Sequence, residues 1–164
     1  MDIKFEVDGY KFNVRSSCII KDKTHGKVLL TNMRAITDHE AFLLPGGRLE
    51  LLENSDEAIK REIEEELKLK LDFKLISIEE NISKANKFQM LEFVYYAEID
   101  SFESIELPND GWDKFKIVEI KDIDNIDIRP KTINNLIKCD EYSSISHNVN
   151  YATIKNIFKS LSRE

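Results

Sequence analysis

Glu62, Glu65 and Glu66 are the residues whose type and spacing point most directly to chemistry. Placed at about 100° per residue, they fall together on one helical face at relative spacings of three and four. Three carboxylates so placed repel one another, by about 0.2–0.5 kcal/mol per pair on an isolated helix and by more when partly buried. A solvated acidic face tolerates that cost. A divalent cation turns the repulsion into coordination, and Mg²⁺ prefers hard oxygen donors of this kind. Ile59, Ile63 and Leu67 form an apolar stripe beside the acids, which brings the acidic face close to the protein body. Upstream, Gly46 and Gly47 form a corner that can fold back over the acids and permit close approach to a ligand or metal. Spacing alone leaves the metal site and the solvated face equally open.

The helix that would carry these acids is predicted over Ser55 to Lys68. Asn54 is its cap, Glu57 stands where a capping box needs it, and Asp56 and Glu57 suit the positive end of the helix dipole. Around it the pattern is mostly strand. Lys4–Val7 and Tyr10–Val14 flank the hairpin signal Asp8-Gly9, and Val14–Lys21 and Lys27–Met33 flank His25-Gly26. Ala41–Leu44 is a short strand ending at Pro45-Gly46-Gly47. Leu69–Ile82, Phe88–Ile99 and Phe115–Ile120 follow as strands, with Ser101–Trp112 as a loop. Thr132–Cys139 and Tyr151–Leu161 read as helices separated by a polar segment, Asp140–Asn150. Strands around one strong helix, with two helices late, predict an α/β fold with a mixed sheet and helices on its faces. The domain spans residues 1–139, and 140–164 form a linker and final helix expected to pack on it.

Gly47, Glu53, Arg61-Glu62, Ile63, Glu65-Glu66 and Leu69 stand at the positions of a known pattern, Gly-x5-Glu-x7-Arg-Glu-U-x-Glu-Glu-x-Gly-U with U apolar. The segment resembles the Nudix box, and Leu44-Pro45-Gly46-Gly47 resembles the usual approach to it. There are two departures. Lys68 replaces the glycine near the end of the box, which normally stops the helix in a left-handed turn and whose loss should alter that stop. Leu52 replaces a glycine common just before the first box glutamate. The resemblance implies a Nudix-type α/β/α sandwich. It implies that Glu62, Glu65 and Glu66, helped by the Gly46 carbonyl, hold Mg²⁺, or Mn²⁺ in its place. It also implies that Glu53 and Arg61 form a salt bridge fixing the loop to the helix, with Glu53 in reach of the metal. The expected activity is hydrolysis of a phosphoanhydride bond in a nucleotide or nucleoside-diphosphate derivative, with Glu62 or Glu65 as general base. Glu79, Glu80 and Glu92 are base candidates from outside the box, each by itself an ordinary surface residue. Arg48, Arg34 and Arg15 are the expected phosphate-binding cations, Arg48 first because it follows the glycines. The rival reading is a catalytically silent Nudix-fold module that binds a nucleotide or a protein. That class usually has a degraded box, whereas here every acid and the arginine are present. The short signals that sort the family by substrate are missing from Ser83–Lys87, and Leu29-Leu30-Thr31 begins a coenzyme A signature that is not continued.

Bulk properties agree with this scheme. The 164 residues are the size of one domain, and 41% apolar with 34% charged composition is that of a globular protein. A formal net charge of -7 excludes a broad basic face for nucleic acid, though not a small phosphate ligand. No window approaches the roughly 18 apolar residues of a membrane span, and the first residues lack the apolar stretch of an export signal. Cys18 sits in an apolar run as a core residue, and with Cys139 it makes neither a disulfide framework nor a zinc site. His25, His39 and His147 are scattered and read as loop residues. A cytoplasmic enzyme of small nucleotide-type substrates, able to oligomerise, is the expectation.

Overall fold

The computed structural model describes residues 1–33, 39–108 and 114–151 of the chain. Thirteen residues of β2 (Tyr10–Asp22) form its spine. This is one continuous strand, where the sequence suggested two meeting at Val14. It pairs in parallel with β7 (Phe88–Ile99) along almost its whole length, from Lys11↔Phe88 to Asp22↔Ile99. β1 (Lys4–Val7) folds back on β2 through Asp8 (φ 53°) and Gly9 (φ 77°), the two left-handed residues of a tight hairpin turn. β3 (Lys27–Asn32) pairs antiparallel with β2, and β4 (Phe42–Leu43) with β3. Beyond β7, the antiparallel β6 (Lys74–Ser83) continues the sheet, which runs β4-β3-β2-β7-β6 and ends on a strand over Ser146–Tyr151, β9. β8 (Phe115–Glu119) pairs with β3.

Two strands lie where the sequence reads none. The glycine corner is itself a strand: β5 (Gly46–Arg48) pairs antiparallel with β2 through Ser17↔Gly46, Ser16↔Gly47 and Arg15↔Arg48. Together with Tyr151, the end of the polar segment read as a linker, Asp140–Asn150, forms β9 (Ser146–Tyr151), which adds in parallel to β6 from Ser77↔Ser146 to Ile82↔Tyr151. His147 is therefore a strand residue, its Nε2 2.6 Å from Glu80 Oε1. Tyr151 ends this strand, and the remainder of the expected final helix lies outside the described residues. β6 starts at Lys74, five residues later than read.

Side-chain alternation along the strands builds two cores. Cys18, Ile20, Leu29, Tyr95 and Ala97 meet Ile59, Ile63 and Leu67 of α1 (Ser55–Leu67) on one face. Ile19, Leu30, Val94 and Ile76 meet Ile133 and Ile137 of α2 (Ile133–Lys138), with Ile123 of a 3-10 helix (Ile120–Asn125), on the other. This is the α/β/α sandwich. No helix among the described residues is long and apolar enough to cross a membrane.

Candidate active site

The acid-bearing helix is fixed at its start by its own sequence. Asn54 Oδ1 accepts from the backbone N–H groups of Asp56 and Glu57, and Glu57 Oε2 accepts from Asn54 N–H, each at 3.0 Å. That is the capping box, worth about 1 kcal/mol for the cap alone. Ser16 Oγ donates to the Ser55 carbonyl at 2.8 Å, and Ser55 Oγ bonds Tyr95 Oη at 2.7 Å, so the first turn is tied to β2 and β7. At the far end Lys68 itself takes the left-handed conformation, φ 58° and ψ 27°, and its N–H reaches the Glu64 carbonyl. The helix stops as a glycine would stop it, carried by a lysine. Leu52 likewise sits at φ 70°, fully exposed. Both departures from the box thus keep its backbone.

The two glycines serve different ends. Gly46 has φ +136°, and a Cβ there would strike the Ser16 carbonyl and Ser17 backbone of β2. Gly47 has an ordinary φ, but a Cβ would fall on the Glu62 carboxylate. Gly47 is therefore the floor on which Glu62 rests.

Arg61 is the hub above that floor. Its Nε and Nη2 donate to both oxygens of Glu53 at 2.8 and 2.9 Å, and Nη1 donates to Glu62 Oε1 at 2.8 Å. Nη2 also donates to the Arg48 carbonyl at 3.1 Å, and Glu65 Oε2 lies 3.5 Å from Nη1. The bidentate geometry is the strong form of such a pair. The Arg61 bonds hold Glu53 below the usual carboxylate range against the effect of its partial burial, while Glu53 and then Glu62 hold Arg61 above its own. Burial pushes Glu62 up; Arg61 opposes this, and the charges of Glu66 and Glu65 reinforce it. Glu66 pairs with Lys114 through Oε1, while its Oε2 is buried without a hydrogen-bond partner among the described residues. Glu65 is 63% exposed.

Among the described residues, no three acidic, histidine or cysteine side chains converge on one point as a metal cage. The donors nonetheless suit a hard divalent cation. They are all oxygens, they share a helix face, one is an orphaned buried carboxylate oxygen, and their mutual repulsion is what a cation would relieve.

Two of the expected phosphate-binding arginines, Arg15 and Arg48, are engaged away from the acids. Arg15 points to the sheet face opposite α1, where Nη2 donates to the Leu44 carbonyl at 2.6 Å and the Gly46 carbonyl at 3.3 Å. The Gly46 carbonyl, the expected backbone metal ligand, is thus approached by an arginine. Arg48 turns outward to Asp2 Oδ2 at 3.2 Å. Arg34 lies outside the described residues. The base candidates outside the box also need correction. Glu79 and Glu92 are buried, at 0% and 4% exposure, directly opposite each other across β6 and β7. Glu92 Oε1 lies 3.3 Å from Arg15 Nε, and Oε2 accepts from Asn81 at 3.2 Å. Glu79 accepts from Ser77 (2.5 Å), Asn148 (2.7 Å) and Asn150 (2.9 Å), and Asn150 also donates to Asn81 Oδ1 at 3.0 Å. A continuous polar track therefore runs from Gly46 across four strands to β9. Burial raises Glu92, Arg15 opposes that, and Glu79 reinforces it. Glu80 remains near the surface with His147. Sequence reading missed Lys114 and the track. The available signal was the matched alternation Ser77-x-Glu79-x-Asn81 and Ser146-x-Asn148-x-Asn150, two polar ladders that face each other.

Comparison with known proteins agrees with this geometry. Residues 11–136 match the model of the NUDIX domain. Among solved structures, a mutator MutT protein from Bacillus halodurans is similar at TM-score 0.65 and 20% identity, covering 92% of this chain and 95% of that one. A MutT NUDIX hydrolase from Burkholderia pseudomallei is similar at TM-score 0.61 and 25% identity, covering 78% and 98%. An Ap4A hydrolase from C. elegans is similar at TM-score 0.59 and 17% identity, covering 77% and 94%. No curated protein sequence matches. With its acids ranged on a capped helix over a glycine floor, the chain belongs to the NUDIX domain family and is a pyrophosphohydrolase of the Nudix type.

Proposed function

We propose that the protein is a Mg²⁺-dependent hydrolase that cleaves a phosphoanhydride bond in a nucleotide or nucleoside-diphosphate derivative, acting in the cytoplasm. The observation that carries this reading is the seat of Glu62: its carboxylate rests on Gly47, is clasped by Arg61, and stands one turn from the orphaned oxygen of Glu66. Glu62, Glu65, Glu66 and the Gly46 carbonyl would hold the cation. Bound there, a divalent ion neutralises phosphate charge and lowers the pKa of a water. Glu53 and Arg61 keep the loop 48–53 closed against the helix, so the acids hold their spacing. Glu62 or Glu65 takes the proton from the attacking water, a reading supported by the place of Glu79 and Glu92 in the buried track on the other face.

The test is a nucleotide panel with Mg²⁺ that includes dinucleoside polyphosphates, with products identified by mass spectrometry in ¹⁸O water. Turnover of one or more members is expected, and Glu65→Gln should abolish it while leaving the fold intact. Tight binding of one nucleotide with no turnover of any would overturn the hydrolase in favour of a silent binding module.

A further inference from the structure

We propose that Lys114 is the cation that receives the substrate's phosphates at the acidic helix, an inference that rests on the hydrolase reading. An anionic phosphate brought to four carboxylates needs positive charge from the protein. Arg61 is wrapped by Glu53, Glu62, Glu65 and the Arg48 carbonyl. Arg15 is engaged by the Leu44 and Gly46 carbonyls and Glu92 on the far side of the sheet, and Arg48 faces Asp2. Among the described residues, the other cation paired with these carboxylates is Lys114, immediately before β8.

Its backbone is anchored, because Asn32 N–H donates to the Lys114 carbonyl at 2.7 Å and extends the β3–β8 ladder. Its side chain reaches the α1 acids from the neighbouring strand layer, keeps a quarter of its surface open, and lies 5.2 Å from the Phe115 ring centroid. An ammonium has three donors. Glu66 Oε1 takes one, and no other acceptor bonds this nitrogen among the described residues. Glu66 thus holds the ammonium in place without exhausting it. The same carboxylate carries the unpartnered Oε2 suited to a cation, so the free donors of Lys114 and the candidate metal-binding oxygen lie across a single carboxylate. Lysine, a compact point charge on a flexible stem, suits a phosphate whose orientation changes during reaction.

The experiment compares wild type, Lys114→Met, Lys114→Arg and, as a charge control on the outer helix face, Lys60→Met. Titration calorimetry measures Mg²⁺ alone, then inorganic pyrophosphate at saturating Mg²⁺; circular dichroism checks the fold. Lys114→Met should weaken pyrophosphate binding by about 10- to 100-fold, the loss of one charge-assisted hydrogen bond. It should bind Mg²⁺ at least as tightly as wild type, because a competing positive charge is gone. Lys114→Arg should recover most of the loss, and Lys60→Met should behave as wild type. For any substrate turned over, KM should rise more than kcat falls. Unchanged pyrophosphate affinity in folded Lys114→Met, or weaker Mg²⁺ binding as its main defect, would overturn the proposal, the latter showing that Lys114 props Glu66. Pyrophosphate binding that depends on Lys114 in a protein that hydrolyses no nucleotide would sustain this inference while sinking the hydrolase, so the two failures are distinguishable.

Discussion

Gly46→Ala and Gly47→Ala place the same methyl group on adjacent residues and should fail in opposite ways. At Gly46 the methyl meets the Ser16 carbonyl and the Ser17 backbone, which belong to the central strand and cannot move aside, and the φ of +136° is one that alanine adopts under strain. Strain of this kind costs about 1–3 kcal/mol, and forced overpacking adds about as much again. A loss of about 2 kcal/mol is the expected minimum, which lowers Tm by about 4–8 °C in a domain of this size. At Gly47 the backbone is relaxed and the obstacle is the end of the Glu62 side chain, which can rotate away. Stability should change by less than about 1 kcal/mol. Activity should fall by about 10²-fold or more, since displacement of a reacting group by roughly 1 Å has that effect. Thermal melts in EDTA and kcat/KM with Mg²⁺ read the two quantities separately. Near-normal activity in Gly47→Ala, or a Tm loss as large as that of Gly46→Ala, would refute the idea that Gly47 exists to seat Glu62.

Leu52→Gly and Lys68→Gly should each raise Tm by about 1–4 °C, because relief of a left-handed side-chain penalty of about 1–2 kcal/mol exceeds the entropic cost of glycine; scanning calorimetry decides it, and a lower Tm would show that these side chains earn their place by contacts. Lys21 is 1% exposed, bonded to the Cys139 carbonyl and held below the ordinary lysine pKa by desolvation. The folded state binds its proton less tightly than the unfolded state, so stability should rise as pH climbs toward the ordinary lysine range near 10.4. Lys21→Met should remove that rise and be neutral or stabilising at pH 7, by up to about 3 kcal/mol, as urea titrations at several pH values will show. Glu92→Leu should cost about 3–5 kcal/mol by stranding Arg15, and the double variant with Arg15→Met should regain a large part of it; additive losses in urea denaturation would mean the two residues are not coupled.

The parts of this molecule legible in the sequence are those governed by short-range rules. Ile59, Ile63 and Leu67 gave the buried stripe of α1 by spacing, Asn54 and Glu57 gave its start, and Asp8-Gly9 gave the first hairpin. The Nudix box placed Arg61 against Glu53 across eight residues because both ends lie on one rigid turn-helix unit. What stayed hidden depends on partners far along the chain. Glu79 read as a surface residue, yet it and its strand neighbours Ser77 and Asn81 are buried because Ser146, Asn148 and Asn150 lie beside them. Lys114 lies 48 residues beyond Glu66, with nothing local to mark it. Arg15 stands out for its charge, which a sequence shows, and not for the strand face on which it falls, which a sequence hides. Lys68 and Leu52 show the converse: a position that asks for glycine can keep its backbone shape without one.

The parallel seat of β9 on β6 has a consequence for how the chain emerges from the ribosome. Synthesis proceeds from the N-terminus at about 5–20 residues per second, and early segments begin to fold before later ones exist. β6 and β7 can pair as soon as both are released, but β6 then presents a bare edge and a Glu79 that has Ser77 but lacks its Asn148 and Asn150 donors until Ser146–Tyr151 arrives. A bare strand edge invites other chains. Translation that stalls or stops before Ser146 should therefore yield a protein with an intact acidic helix that nonetheless self-associates, and β9 is what makes the difference between an enzyme and an aggregate.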